Sequence, residues 1–346
     1  MRYKNELVVA LLKEIELQQE YFAGKVIETI YFGGGTPSLL SKSEIQNILQ
    51  KIHSFFNVDP SAEITVEANP DDISEEKLND WKETGINRLS IGIQSFFEED
   101  LLWMNRAHNS KQAVDSLKLA VKTFRNITID LIYGTPGLTN KKWKQNIDKA
   151  IAFNIPHLSC YALTVEPKTP LQKLIQQQKT EDVDADKQSE QFLLLMQWLE
   201  EAGYEQYEIS NFAKPGFRSR HNSSYWSGKN YLGFGPSAHS FDGNARWWNI
   251  SNNNTYINSI SNGTLPFEKE ELTATQKLNE YIMISLRTVE GLNLSKLSNT
   301  ECDELRTKSW KYMERGHLKL ENNFLRLTRE GKLLADGIAA DLFADQ

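Results

Sequence analysis

Apolar residues recur along this chain in two periods that take turns, one helical and one strand-like. Leu7, Ala10, Leu11, Ile15 and Leu17 fall on one helical face and predict a helix over 5–22. Short apolar runs then predict strands near 26–32, 63–67, 87–93, 127–132 and 157–163, separated by helices near 42–56, 74–84, 111–124 and 140–153. Strands and helices spaced in this way build βα units, so the expected sheet is parallel. A helix near 186–203 and the run Tyr204–Ser210 add one more unit. The pattern opens on a helix with no strand before it, which is unusual for a barrel.

The periods fade from Asn211 to about Ile250, where glycine and asparagine alternate with Phe217, Tyr225, Trp226, Tyr231, Phe234, Phe241, Trp247 and Trp248. So many aromatics argue against disorder, and a long stretch without clear elements is expected to be an aromatic loop with a functional role. A linker around 263–270 follows. Helices are then expected at 273–287 and 299–314, a small hairpin at 317–320 and 324–327, and a closing helix at 328–343. This order suggests a winged-helix-like module over 265–346, after a first domain over 1–250.

The punctuation between elements carries the candidate chemistry. Gly33-Gly34-Gly35-Thr36-Pro37-Ser38 directly follows the first strand. Three glycines can bend the backbone sharply there and turn several N–H groups toward one concavity, although a tight turn with no ligand needs the same residues. Glu67-Ala68-Asn69-Pro70, Gly92-Ile93-Gln94-Ser95, Asn105-Arg106 and Asp130 lie at or just beyond later strand ends, where a parallel barrel gathers its functional side chains. Arg106 is also readable as a surface guanidinium, whereas a carboxylate on the apolar strand of Asp130 needs partners or a purpose. His221, beside Tyr225 and Trp226 in the aromatic loop, is a candidate cofactor ligand through a neutral imidazole nitrogen or a loop histidine bonded to main chain. His239 is a weaker candidate of the same kind. Trp81, Trp143, Trp198 and Trp310 stand at helical spacing and read as core.

Composition narrows the classes. The chain has 346 residues, of which 39 are basic and 46 acidic, for a net charge of −7. No global basic field attracts nucleic acid, and no apolar run approaches the roughly 18–20 residues that span a bilayer. The start resembles neither a signal nor a transit peptide, so the cytoplasm is the expected location. Two cysteines, Cys160 and Cys302, lie far apart and supply no disulfide framework, zinc knuckle or cluster triplet; Cys160 reads as a buried, inert thiol.

Taken together, Gly33-Gly34-Gly35-Thr36-Pro37, Glu67-Ala68-Asn69-Pro70, Gly92-Ile93-Gln94-Ser95 and Asp130-Leu131-Ile132-Tyr133-Gly134 resemble the radical S-adenosylmethionine (SAM) superfamily. The likeness is to the branch of oxygen-independent coproporphyrinogen III oxidase-like proteins. Tyr207–Ala213 and His221-Asn222-Ser223-Ser224-Tyr225-Trp226 are similar to the HemW haem chaperones, whose marker is His-Asn-x-x-Tyr-Trp.

The resemblance implies a partial (β/α) barrel in an α/β fold, with a helical C-terminal module. It also implies SAM contacts from Gly34, Gly35, Thr36, Glu67, Gln94, Arg106 and Asp130, and haem on His221. The implied partners are haem and a haem-acceptor protein, and the alternative activity is that of coproporphyrinogen III dehydrogenase. The family's Cys-x-x-x-Cys-x-x-Cys loop, which holds a [4Fe-4S] cluster after the first strand, is not among these residues. The expectation is that this strand and loop are encoded upstream, and that the residues as written hold no cluster and perform no radical chemistry.

Overall fold

The computed structural model describes residues 3–22, 24–178 and 180–345. After α1 (Lys4–Leu17), the parallel strands β1 (Val26–Phe32), β2 (Asn57–Ala68), β3 (Arg88–Gln94), β4 (Asn126–Tyr133) and β5 (His157–Ala162) stand side by side in sequence order. Their crossovers carry α2 (Lys42–Phe55), α3 (Glu75–Glu83), α4 (Glu98–Trp103) with α5 (Ser110–Thr123), and α6 (Asn140–Ala152). Helix starts are written locally. Ser41 and Glu44 close a reciprocal capping box at α2, and Asn109 with Gln112 do the same at α5. Six of the seven residues of β3 are buried, as a strand covered on both faces requires. The curled sheet and its helices enclose a core that includes Val66, Leu89, Ile91, Ile129, Leu158 and the fully buried Trp81 and Trp143.

The expected all-parallel sheet ends at β5. After α7 (Pro170–Gln176) and α8 (Ala185–Glu201), β6 (Glu205–Glu208) and β7 (Asn211–Ala213) form a hairpin, and β7 pairs antiparallel with β5. Ile209 and Ser210 alone separate the two strands, and two residues can reverse a chain but cannot carry a parallel crossover of a dozen or more.

The aromatic stretch is likewise structured rather than loop. It holds α9 (Arg220–Trp226), β8 (His239–Phe241) and β9 (Ala245–Asn249); after α10 (Asn253–Ser261), β10 (Phe267–Glu271) completes a three-stranded antiparallel sheet. The expected linker at 263–270 therefore includes a strand. Elements of three to seven residues are too short to display a period, and α9 has no buried residue to mark a face.

The last part packs α11 (Ala274–Leu286), β11 (Leu292–Asn293), α12 (Asn299–Glu314), β12 (Leu318–Glu321), β13 (Phe324–Leu327) and α13 (Ala335–Leu342) around a separate cluster containing Ile282, Leu286, Leu305, Leu325 and Ile338. The closing helix begins as a 3₁₀ turn at Gly331–Leu334. Trp198 packs at the margin of the main core, whereas Trp310 is 60% exposed and is not a core residue. Its helical spacing does not place it on the buried face of α12, which Leu305 and Ser309 occupy.

Two buried ties hold distant segments together. Glu14 of α1 accepts hydrogen bonds from Gly235 N at 2.8 Å, Asn249 Nδ2 at 2.6 Å and the Tyr256 hydroxyl, and burial raises its pKa. Arg287, which follows α11, pairs with buried Glu208 of β6 at 2.9 Å, while its carbonyl accepts from Ile209 N.

Candidate functional site

At the C-terminal end of β1 the chain turns through Gly33–Gly35, and the turn is shaped around Glu67 at the end of β2. A Cβ on Gly33 would lie 2.5 Å from Tyr31 Cε1 and 2.9 Å from Glu67 Oε1, so no larger residue fits unless both neighbours move. Gly34 has φ +76°, in the left-handed region, and donates its N–H to Glu67 Oε2 at 3.3 Å. The other carboxylate oxygen takes the Tyr31 hydroxyl at 2.7 Å. Gly35 faces open space, and Thr36 opens a short 3₁₀ turn without its hydroxyl capping it. Ser38 donates to Asp72 at 2.6 Å, which fastens the loop after β1 to the loop after β2.

A second group gathers over Gly92 of β3. A Cβ there would meet Gln94 Nε2 at 2.9 Å, Arg106 at 3.6 Å and Asn69 Oδ1 at 3.9 Å, which puts all three around one point of backbone. Arg106 donates to Asn69 Oδ1 at 3.3 Å, so its guanidinium is turned to the strand ends rather than left on the surface. Gln94 itself has φ +64° and Asn105, just before Arg106, has φ +51°; both are uncommon conformations that aim the neighbouring side chains. Asp130 of β4 has its pKa raised to about 7, first by burial and then by the charge of Glu67, while Ser159, Arg88 and Arg106 oppose the rise. Glu67, Arg106 and Asp130 thus act on one another within one polar mouth.

His221 lies below this mouth, on α9. Its ring stacks on Tyr31 with centroids 4.5 Å apart, meets Tyr225 edge-on at 5.0 Å, and shares a 3.1 Å hydrogen bond between Nδ1 and Thr29 Oγ1. Burial, with a smaller contribution from Arg88, pushes its pKa down to about 4, so the imidazole is neutral at physiological pH.

The position of α9 is set from inside the barrel. The buried carboxylate of Glu63 accepts the N–H groups of Arg220 at 3.1 Å and His221 at 3.0 Å, with Arg88 Nε 3.7 Å away. From Arg88 the network continues through Thr128, His157 and Tyr207, with 3.0 Å between Thr128 and His157 and 2.7 Å between His157 and Tyr207. The Tyr207 hydroxyl in turn accepts from Ser219 N, the N-cap of α9.

His239 does not join the group; it is exposed on β8 with its ring 6.0 Å from Trp248. Cys160 is buried in β5, its thiol pushed up by burial, and Cys302 donates to Leu294 O. Among the described residues no group of three His, Cys, Asp or Glu side chains could hold a metal ion. The residues present therefore do not fit a [4Fe-4S] cluster, which needs thiolates held close together.

The sequence profile of the radical SAM superfamily matches residues 3–150, and that of the HemN C-terminal domain matches residues 272–334. The haem chaperone HemW of Bacillus subtilis is 35% identical over 321 residues, covering 90% of this chain and 84% of that protein. The chain belongs to the HemW family of radical SAM proteins. HemW of Mycobacterium tuberculosis is 33% identical over 97% of this chain and 85% of its own length, and that of Escherichia coli 32% over 96% and 89%. The solved structure of coproporphyrinogen III oxidase (HemN) from Escherichia coli superposes with a TM-score of 0.83 over 99% of this chain and 84% of that one, at 22% identity; this likeness is one of fold.

For this HemW-family chain the sequence located the glycine turn and the strand ends but missed the side chains behind them. Thr29 and Tyr31 were hidden in an apolar strand. Glu63, Arg88 and His157 were the available signal, since charged or titratable residues inside strands that are otherwise buried demand partners.

Proposed function

We propose that this chain is a haem chaperone of the HemW kind, binding haem and passing it to an acceptor protein. The observation that carries the reading from the structure is His221, a neutral imidazole held on Thr29 through Nδ1, which leaves Nε2 as the nitrogen for haem iron. The identity with HemW proteins over most of both chains supports it. The alternative, coproporphyrinogen III dehydrogenase, has support from the fold and from the match of residues 272–334 to the HemN C-terminal domain.

SAM is the proposed second ligand, and the mouth suits it. The crowded Gly33 and left-handed Gly34 bring main chain close to the strand ends, and the Thr36 hydroxyl is not spent on a cap. In this reading Gly34, Gly35 and Thr36 meet the amino acid part of SAM. Glu67 and Asp130 offer acceptors for its ammonium and hydroxyl groups, and Gln94 and Arg106 offer donors. SAM brings an activated sulfonium, whereas the cluster expected of family members has no thiolate ligands among these residues. We take 1–250 as the radical SAM-like partial barrel and 265–346 as the C-terminal module. The cytoplasm is the proposed site of action, and among the described residues no helix is long and apolar enough to cross a membrane.

Titration of the purified chain with haem, followed at the Soret band, tests the reading. His221→Ala is expected to shift the band and weaken binding; an identical spectrum and affinity would remove His221 from the site.

A further inference from the structure

The end of β3 is a strained turn at the rim of the mouth. Ser95 N donates to Ile93 O at 2.8 Å, which closes a three-residue turn about Gln94, whose φ is +64°. Such a turn with positive φ at its centre is rare, and a residue with a side chain stays in it only where its surroundings hold it there. The ladder is irregular over the same stretch: between the pairs Ile91–Ile129 and Gln94–Leu131, β3 has one residue more than β4. An extra residue of this kind bends a strand and re-aims a side chain. Here it carries the Gln94 amide back over Gly92, beside Arg106 and Asn69.

The groups that hold the turn lie behind it and are buried. Ser95 Oγ donates to Asp100 at 2.6 Å, and Asn146 of α6 accepts Phe96 N at 2.9 Å. From this fixed point α4 runs to a two-bond cap, in which Asn105 N, at φ +51°, donates to Leu102 O at 3.0 Å and Arg106 N donates to Leu101 O at 2.9 Å. The chain then returns to where it left. His108 is 3% exposed, and its Nε2 lies 3.1 Å from Ile93 O, the carbonyl that also takes Ser95 N. A carbonyl can only accept, so Nε2 carries the proton. Burial lowers the pKa of this ring and keeps it neutral. Leucine would fill much the same space without a desolvation cost; what histidine adds is one donor aimed at that carbonyl.

Resting on the SAM reading of the mouth, we propose that His108 is its positioning residue. By donating to Ile93 O it holds the Gln94 turn in its strained form and fixes the reach of Arg106, two residues away, across Gly92. The loop that delivers Arg106 is thereby tied at both ends to one carbonyl. His108 acts through Gln94 and Arg106, and those two side chains meet the ligand.

The test titrates the full chain with S-adenosylhomocysteine by calorimetry and follows amide hydrogen exchange in the free chain, with circular dichroism as the check on folding. Wild type, His108→Leu, His108→Gln, Arg106→Met and His108→Leu/Arg106→Met are compared. His108→Leu is expected to bind about 3- to 10-fold more weakly, the worth of one hydrogen bond. Its Ser95 and Arg106 amides should exchange faster than the global change in stability explains. His108→Gln keeps a donor and should recover most of both. In the Arg106→Met background, His108→Leu should cost at most about 2-fold, because the two side chains act as one unit. A His108→Leu variant that binds like wild type, an equal loss in His108→Gln, or losses that simply add would overturn the positioning role and leave the SAM reading standing. A wild-type chain that takes up no S-adenosylhomocysteine would overturn the SAM reading instead. The exchange contrast between the two His108 variants then decides alone whether this side chain holds the turn, and uniform acceleration would overturn that as well.

Discussion

The imidazole of His221 lies on the ring of Tyr31, with planes 14° from parallel and centroids 4.5 Å apart, and the hydroxyl of that tyrosine donates to Glu67 at 2.7 Å. One aromatic ring thus joins the candidate haem ligand to the candidate SAM cradle. Tyr31→Phe keeps the stack and removes the hydrogen bond, so it is expected to weaken binding of S-adenosylhomocysteine by about 3- to 10-fold, the worth of about 1 kcal/mol for one hydrogen bond. The haem spectrum should not move. Tyr31→Ala should disturb both. Calorimetry and Soret titration separate the two outcomes, and a Phe variant with normal nucleoside binding would detach Tyr31 from the cradle.

The glycine turn allows a contrast between neighbours. Gly33→Ala forces a Cβ into Tyr31 and Glu67 and should cost about 1–3 kcal/mol in stability, displacing Glu67 as it does so. Gly35→Ala enters open space and should change stability by less than about 0.5 kcal/mol. Urea unfolding of both variants checks the order; equal effects would mean that the crowding at Gly33 relaxes freely.

Glu63 is placed to act on His221 through main chain. Glu63→Gln leaves the buried Arg88 without its counter-charge and weakens two bonds to α9, and it is expected to destabilise the fold by about 3 kcal/mol. Because the same change loosens the first turn of α9, hydrogen exchange at Arg220 and His221 should quicken beyond the global effect. Uniform acceleration across the chain would reduce Glu63 to a general core residue.

Asp130 gives the site a pH dependence of known sign. Its pKa is raised from 3.8 to about 7 in the fold, so its contribution is full below pH 3.8 and is lost as pH rises through about 7. Asp130→Asn is free of that loss. Without ligand, its stability relative to wild type should therefore increase from pH 5 to pH 8, by nearly 3 kcal/mol at roughly 1.4 kcal/mol per unit, most of it gained below pH 7. A difference that stays flat over this interval would mean that Asp130 is ionised throughout.

The parts of the fold legible in the sequence are those in which one local rule decides the outcome. Val26–Phe32 is a short, mostly apolar run rich in β-branched and aromatic residues that meets three glycines, and Ser41 with Glu44 marks the next helix, so β1, its turn and α2 follow directly. Tyr204–Ser210 shows what a local reading lacks. Its residues favour a strand, yet whether that strand runs parallel or antiparallel to β5 depends on β7 inserting between them. The candidate site divides in the same way. Gly34, Glu67, Gln94, Arg106 and Asp130 announce themselves at strand ends, whereas Tyr31 becomes visible only when His221, 190 positions later, arrives on its ring.

The buried carboxylate of Glu14 sets an order of events in synthesis. Its partners Gly235, Asn249 and Tyr256 lie 221 to 242 residues further along the chain. At roughly 5–20 residues per second, α1 is translated about 10–50 s before the last of them exists. During that interval the helix has its docking carboxylate and no place to bury it, so its final seating follows translation of α10 rather than its own emergence. Mutations that slow or misplace the 235–256 segment should therefore show up first as protease sensitivity in the opening helix, far from the altered residue.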